Sequence, residues 1–131
     1  MERVDAFNEH DVQAFSDFYA NDAVLIAPTF PEPLTSRASI HQREVDLITA
    51  VPDVYVEMID AIVDGRTQVV EVVLRGTHTG PLAGEGGTAP PTGNSVEVPM
   101  VLISRFSDDG KITRENRYYD AGAMMHQLGL S

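Results

Sequence analysis

Asp120, His78 and Tyr118 are the side chains whose types and positions in this sequence favour acid/base chemistry. Side chains alternate between the two faces of a strand, so the even positions of 69–78 share one face and His78 ends an apolar stripe. On the last predicted strand, the even positions Asn116 and Tyr118 precede Asp120 on one side. A carboxylate in a partly apolar cavity has its pKa raised, which suits proton transfer at neutral pH. We predict Asp120 as the acid or base and His78 as its catalytic partner.

Each of these residues also has a structural interpretation. An aspartate before AGAMM is a good N-cap for a terminal helix, and a capping carboxylate has a lowered pKa, which opposes the role of a base. His78 is also explained as a hydrogen-bonded histidine at a strand end, and Tyr118 as a half-buried aromatic of the sheet. The methionines suit either core packing or a pocket for flat ligands. The residues predicted to bind substrate are Asn116, Tyr118, Met58, Met100 and Phe18.

Composition excludes several other kinds of site. The 131 residues contain no cysteine, so sulfur nucleophiles and sulfur-based zinc sites are absent. No H-E-x-x-H spacing, calcium loop, phosphate loop or G-x-S-x-G turn occurs, and we predict neither a metal nor a cofactor. Nine basic residues against twenty acidic ones give a formal charge of −11, which repels nucleic acid and anionic lipid. With no apolar run longer than 23–27, we expect no membrane partner and a cytoplasmic protein.

The first half of the chain is typical of three helices and one strand. Apolar spacing predicts helices over 2–9 and 12–19, the second capped by Asp11. The β-branched segment 22–30 is rich in proline at its end and predicts an edge strand that stops near Ala27. A third helix is expected from Ser36 or Ser39 to Ala50, where Pro52 blocks continuation.

The second half is typical of an antiparallel sheet. Val54 to Val63 and Thr67 to Thr79 form one hairpin around Asp64-Gly65, and Val96 to Phe106 and Lys111 to Tyr119 form another. Residues 79–94 between them predict a long connection with little regular structure, either a lid or a disordered loop. A terminal helix follows, with Gly129 as its C-cap. The order of elements indicates one α+β domain over 1–131 with an apolar pocket between sheet and helices.

Several motifs resemble one known family. They are FNEHDVQAFSDFYANDAV at 7–24, GTHTG at 76–80, PPTG at 90–93, DDGKI at 108–112 and RYYDAGAMMHQLGL at 117–130. In this order they resemble the SnoaL-like polyketide cyclases of the nuclear transport factor 2-like superfamily, over nearly the whole chain. The resemblance implies a cone-shaped α+β fold, also described as cystatin-like, in which a curved antiparallel sheet wraps around N-terminal helices.

The same resemblance implies an activity and an assembly. Family cyclases close a polyketide ring by cofactor-free intramolecular aldol condensation, and Asp120 and His78 match the proton-handling aspartate and the cavity histidine. A small hydrophobic, enolisable substrate is therefore expected. The resemblance also implies a homodimer through the outer face of the sheet, for which Val69, Val73, Val101 and Ile103 supply apolar material.

Three functions fit these observations. The first is the aldol cyclase. The second is an isomerase, dehydratase or epoxide hydrolase that uses the same carboxylate and histidine. The third is a module that binds small molecules or dimerises without catalysis.

Overall fold

The second and third helices begin where the sequence supplies capping side chains. The computed structural model describes residues 1–84 and 87–130, and its first elements are α1 (Glu2–Asn8), α2 (Val12–Ser16) and, later, α3 (Arg37–Ala50). The Asp11 carboxylate accepts a backbone N–H three residues on and caps α2 as predicted. Ser36 caps α3 in a reciprocal capping box, which decides between the two predicted starts of this helix.

A five-stranded sheet forms the other layer. Its strands are β1 (Tyr19–Ile26), β2 (Tyr55–Asp64), β3 (Thr67–Thr77), β6 (Ser95–Phe106) and β7 (Ile112–Tyr118), in the order β1-β7-β6-β3-β2. The helix α4 (Ala121–Leu128) follows, and the left-handed Gly129 ends it as predicted. The α+β architecture predicted from the sequence is confirmed.

Two expectations about the first strand were wrong. The second helix ends at Ser16 rather than at Tyr19, because Tyr19 opens β1 and is fully buried, with its ring 5.6 Å from that of Phe15. The sheet is also not antiparallel throughout, since β1 runs parallel to β7. A parallel pair needs a long connection, and here almost the whole sheet lies between the two strands in the chain.

The connection between the two hairpins has structure of its own. Within residues 79–94, β4 (Leu82–Gly84) pairs with β5 (Gly87–Ala89) in a small antiparallel ladder. The prediction of little regular structure was therefore wrong for these two segments. The middle of the predicted loop, at 85–86, lies outside the described residues.

A bulge in β7 decides which side chains face the helices. Arg105 pairs with Arg114 and Phe106 with Ile112, so Thr113 is an extra residue on the β7 side. Because side chains alternate with a period of two, one extra residue reverses the face of every later position. Glu115 is fully buried on the inner face. The expectation that Ile112 and the later even positions, Asn116 and Tyr118, lie on the same side of the last strand was therefore wrong.

Candidate functional site

A cavity of about 200 Å³ lies between the inner face of the sheet and the helices. Its walls are mostly apolar, with side chains from β3, β6, α3 and α4. The apolar lining includes Val70, Val72, Leu74, Met100, Leu102, Leu47, Ala50, Met124 and Leu128. A pocket of this kind excludes water from most of a small ligand and leaves orientation to a few polar groups.

His78 is brought to the cavity by two close approaches of backbone to α3. A Cβ atom at Gly76 would lie 2.3 Å from a side-chain carbon of Val51, and one at Gly80 would lie 1.9 Å from the carbonyl oxygen of Thr49. Only glycine fits at such contacts. The two glycines of GTHTG therefore seat the end of β3 against the end of α3, and the cavity position predicted for His78 is observed.

The His78 ring is oriented by residues that follow the small β4–β5 ladder. Its Nδ1 lies 3.1 Å from Thr92 Oγ1 and accepts the Thr92 backbone N–H at 3.4 Å, while Thr92 Oγ1 accepts the N–H of Asn94. Because Nδ1 is an acceptor, the hydrogen-bond pattern assigns the ring proton to Nε2. His78 is fully buried and Nε2 has no partner among the described residues. It is a donor available to a ligand in the cavity.

A buried ion-pair network contributes charged side chains to the cavity wall. Glu115 accepts hydrogen bonds from Arg3, from Ser104 Oγ at 2.6 Å, from Tyr19 OH at 2.9 Å and from Arg117 Nε at 2.8 Å. Burial disfavours the charged carboxylate, but the guanidinium groups of Arg3 and Arg117 outweigh it and lower the pKa of Glu115 to about 2. Burial also raises the pKa of Tyr19 to about 12. Arg3 and Arg117 line the cavity.

Glu44 is a buried acid of the cavity that the sequence reasoning missed. Its Oε1 lies 3.3 Å from Arg117 Nη1, and its Oε2 is buried without a hydrogen-bond partner in the described structure. Burial raises the pKa of Glu44, although Arg117 acts against that shift. The signal was present in the sequence, because Glu44 lies four residues after Ile40 and three before Leu47, on the apolar stripe of α3.

Further polar groups line the cavity beside α3. The Tyr119 hydroxyl lies 2.5 Å from Thr29 Oγ1, and the Arg43 guanidinium lies 4.4 Å from the centre of the Phe30 ring. Tyr119 faces inward because the bulge gives the odd positions of β7 the inner face. Regular alternation along a strand without a bulge predicts the inward position for its neighbour Tyr118 instead.

The other predicted site residues lie in different places. Asp120 is exposed, caps α4 by accepting the Ala123 N–H at 2.9 Å, and is not among the cavity-lining residues. Asn116 and Tyr118 pair with Ile103 and Val101 and face the outer side of the sheet, with Tyr118 54% exposed.

The remaining predicted binding residues divide as follows. Met100 lines the cavity, whereas Met58 on the edge strand β2 is 42% exposed and Phe18 packs against the core without lining the cavity. Thus His78 and Met100 are the predicted site residues that the fold brings together. The catalytic roles of Asp120 and His78 stay predictions.

The described residues contain neither a metal-binding cluster nor a membrane-spanning helix. In residues 1–84 and 87–130, the acidic and histidine side chains form no group of three or more that could hold a metal ion. None of the helices in this described part is long and apolar enough to cross a membrane.

The fold is the ketosteroid isomerase-like, or nuclear transport factor 2-like, fold. A protein of that fold from Catenulispora acidiphila is 20% identical, with a TM-score of 0.78 over 99% of this chain and 91% of the other. IdmH, a candidate polyketide cyclase from Streptomyces antibioticus, is 27% identical, with a TM-score of 0.76 over 98% and 94%. AclR, a candidate hydroxylase from Streptomyces galilaeus, is 23% identical, with a TM-score of 0.80 over 98% and 76%.

The SnoaL-like polyketide cyclase model matches residues 1–128. The chain belongs to that family. No curated protein is detectably similar to it in sequence.

Proposed function

We propose that this protein is a cofactor-independent enzyme that acts on a small hydrophobic, enolisable, polyketide-like substrate, most concretely by intramolecular aldol ring closure. One observation carries the proposal. The apolar cavity contains a fully buried histidine whose Nε2 has no hydrogen-bond partner among the described residues. A buried donor without a partner is costly, and a substrate carbonyl oxygen would satisfy it.

The chemistry needs a proton acceptor and a donor to the oxygen where charge develops. A base removes a proton from the carbon between two carbonyl groups, and the electron pair moves to oxygen as an enolate. His78 Nε2–H donates to that oxygen and stabilises its charge in a site sheltered from water. The enolate carbon then attacks a second carbonyl of the same molecule, and the resulting alkoxide takes up the proton.

Asp120 is the base that the family likeness indicates. Its Oδ1 is engaged in capping α4, and its side chain lies outside the cavity lining. A substrate that reacts with Asp120 must therefore extend from the cavity to the N-terminus of α4. The Asp120→Asn variant tests this role, because asparagine keeps the cap and removes the carboxylate.

Product analysis tests the proposed function. Wild-type protein is incubated with short poly-β-keto esters and their aryl derivatives, and the products are analysed by mass spectrometry and NMR. Ring closure conserves mass, dehydration loses one water and epoxide opening gains one. We expect cyclic products of unchanged mass, and His78→Phe, which removes the N–H donor, should lower kcat by about 100-fold. Ligand binding without any conversion would refute the proposed enzymatic activity and favour a module that binds small molecules without catalysis.

We propose further that two copies associate through the outer face of the sheet. Val69 and Ile103 are directly paired across β3 and β6, and the exposed Tyr118 and Ile62 extend this apolar surface. Light scattering at micromolar concentration should give twice the chain mass of 14.3 kDa. A monomer, or a dimer unaffected by Ile103→Lys, would refute this interface.

A further inference from the structure

Glu44 is a buried acid, and in the part of the chain that the structure describes one of its oxygens has no hydrogen-bond partner. The residue is 2% exposed, lies in the middle of α3 and lines the cavity. Buried carboxylate oxygens in folded proteins are hydrogen-bonded, because an unpaired one costs its full desolvation free energy. Because Oε2 has no hydrogen-bond partner among the described residues, this oxygen can bind a proton or a ligand group.

The other oxygen of Glu44 is held by a fixed cation. Arg117 Nη1 lies 3.3 Å from Oε1, while Arg117 Nε is bound at 2.8 Å to Glu115. Glu115 in turn binds Arg3, Ser104 and Tyr19, so Arg117 cannot move freely. Arg117 is therefore a positioning residue that holds Glu44 Oε1. Of the two carboxylate oxygens of Glu44, Oε2 is the one that can take up and release a proton.

The charged and titratable surroundings of Glu44 come from several elements. β7 supplies Arg117 and Glu115, α1 supplies Arg3, and the start of β1 supplies the Tyr19 phenol. Glu115 accepts from four donors, whereas Glu44 accepts one hydrogen bond from the described residues. Of the two buried glutamates, Glu44 is therefore the one whose charged form is less stabilised by its hydrogen-bond partners, and burial raises its pKa.

We propose that Glu44 is the acid/base of the cavity. This inference rests on the proposed function and assigns its proton-transfer step to Glu44 in place of Asp120, which caps α4 and does not line the cavity. Oε2 takes the proton from the activated carbon: the C–H bond breaks, the O–H bond forms, and the electron pair moves to the carbonyl oxygen, which becomes an enolate. In ring closure the same proton returns to the alkoxide oxygen of the new aldol, so Glu44 ends as it began.

Deuterium exchange into 2-tetralone tests the step directly. This ketone is small, apolar and enolisable, and NMR in D₂O follows loss of its C1 protons. Wild-type protein should accelerate exchange over buffer, and Glu44→Gln should lose about 100-fold of that acceleration. Glu32→Gln is the matched control, because Glu32 is exposed and lies outside the cavity lining; it should exchange at the wild-type rate.

Two results with an active wild type overturn the assignment. One is a Glu44→Gln rate within about threefold of wild type, and the other is loss of exchange in Asp120→Asn instead. The second result makes Asp120 the base. Thermal unfolding of each variant shows that the rates belong to folded protein.

Failure of the proposed function gives a different pattern. If the wild type does not accelerate exchange, an enolising activity on this class of ketone is refuted, and Glu44 is judged by the ¹³C titration of its carboxyl carbon, assigned by its absence in Glu44→Gln. A midpoint above the ordinary 4.5 supports Glu44 as a proton carrier in the cavity, and a midpoint at or below that value overturns the inference.

Discussion

Replacing Glu115 by glutamine should destabilise the fold at neutral pH, whereas the same replacement at Glu44 should not. Both glutamates are buried and contact the same Arg117, and glutamine keeps their size. The difference lies in their partners. Within the described structure, Glu115 accepts from four donors, two of them guanidinium groups, but Glu44 accepts from one group at 3.3 Å and its Oε2 has no partner.

The pKa of Glu115 sets the size of the effect. Its value falls from 4.5 to about 2 on folding. At about 1.4 kcal/mol per unit, the ionised form contributes on the order of 3 kcal/mol to the free energy of unfolding. A depressed pKa in the folded state means that this contribution is present above pH 4.5 and is lost as the pH falls towards 2.

The contribution of Glu44 to the free energy of unfolding depends on pH with the opposite sign. Because burial raises its pKa, the contribution of Glu44 is present below the ordinary 4.5 and is lost as the pH rises through the folded value. A neutral glutamine at this position avoids the cost of a buried charge. We expect the free energy of unfolding of Glu44→Gln at pH 7 to equal that of wild type or to exceed it by up to about 1 kcal/mol.

Urea unfolding followed by circular dichroism measures both variants. Transitions at pH 7 and at several lower pH values give the free energy of unfolding and show whether the slope m is unchanged. Glu115→Gln should lose about 3 kcal/mol at pH 7 and approach wild type as the solution becomes acidic. Equal losses in the two variants would refute the reasoning, as would a larger loss for Glu44→Gln.

Three further variants test the local geometry. Gly80→Ala should lower the free energy of unfolding by about 2 kcal/mol or more, because its Cβ would meet a backbone oxygen at 1.9 Å. Asp120→Ala should lower it by about 1 kcal/mol through loss of the α4 cap, while Asp120→Asn retains most of it; urea unfolding compares the two. Thr92→Val should leave the melting temperature unchanged and lower kcat by about tenfold, because His78 Nδ1 loses a partner that orients the ring.

Controls exist for each of these variants. At Gly84 the nearest atom to an added Cβ lies at 3.7 Å, so Gly84→Ala should be tolerated, and equal losses at both glycines would contradict the close-packing argument. If Asp120→Ala and Asp120→Asn are equally stable, the cap contributes nothing. A wild-type rate for Thr92→Val would show that the histidine is held by other contacts.

The elements set by local interactions were predicted well from the sequence. Asp11 and Gly129 end helices as expected, because capping depends on a few neighbouring residues. Both main hairpins have their turns at the expected glycines. His78 reached the cavity as expected, because β3 keeps a regular alternation from Val70 onward and the glycines on either side allow contact with α3.

The polar half of the site could not be read from alternation alone. A single extra residue, Thr113, moved Asn116 and Tyr118 outward and brought Arg117 and Tyr119 inward. Bulges depend on how two strands fit and leave little local signature. Glu44 was missed for another reason: its position on the apolar stripe of α3 was visible, but a buried glutamate is rare enough that helical spacing by itself does not suggest a functional group.

The parallel pairing of β1 with β7 also constrains the order in which the molecule can fold. Arg3 and its partner Glu115 are 112 positions apart in the chain, and Tyr19 and Glu115 are 96 apart. During synthesis the N-terminal helices therefore emerge long before their counter-charge exists, and Arg3 stays hydrated until β7 is made. Closing such distant contacts costs loop entropy before the contacts can stabilise the fold, which slows folding relative to a fold built from local contacts. A nascent chain that lacks β7 also lacks Glu115, whose charge allows Arg3 to enter the core.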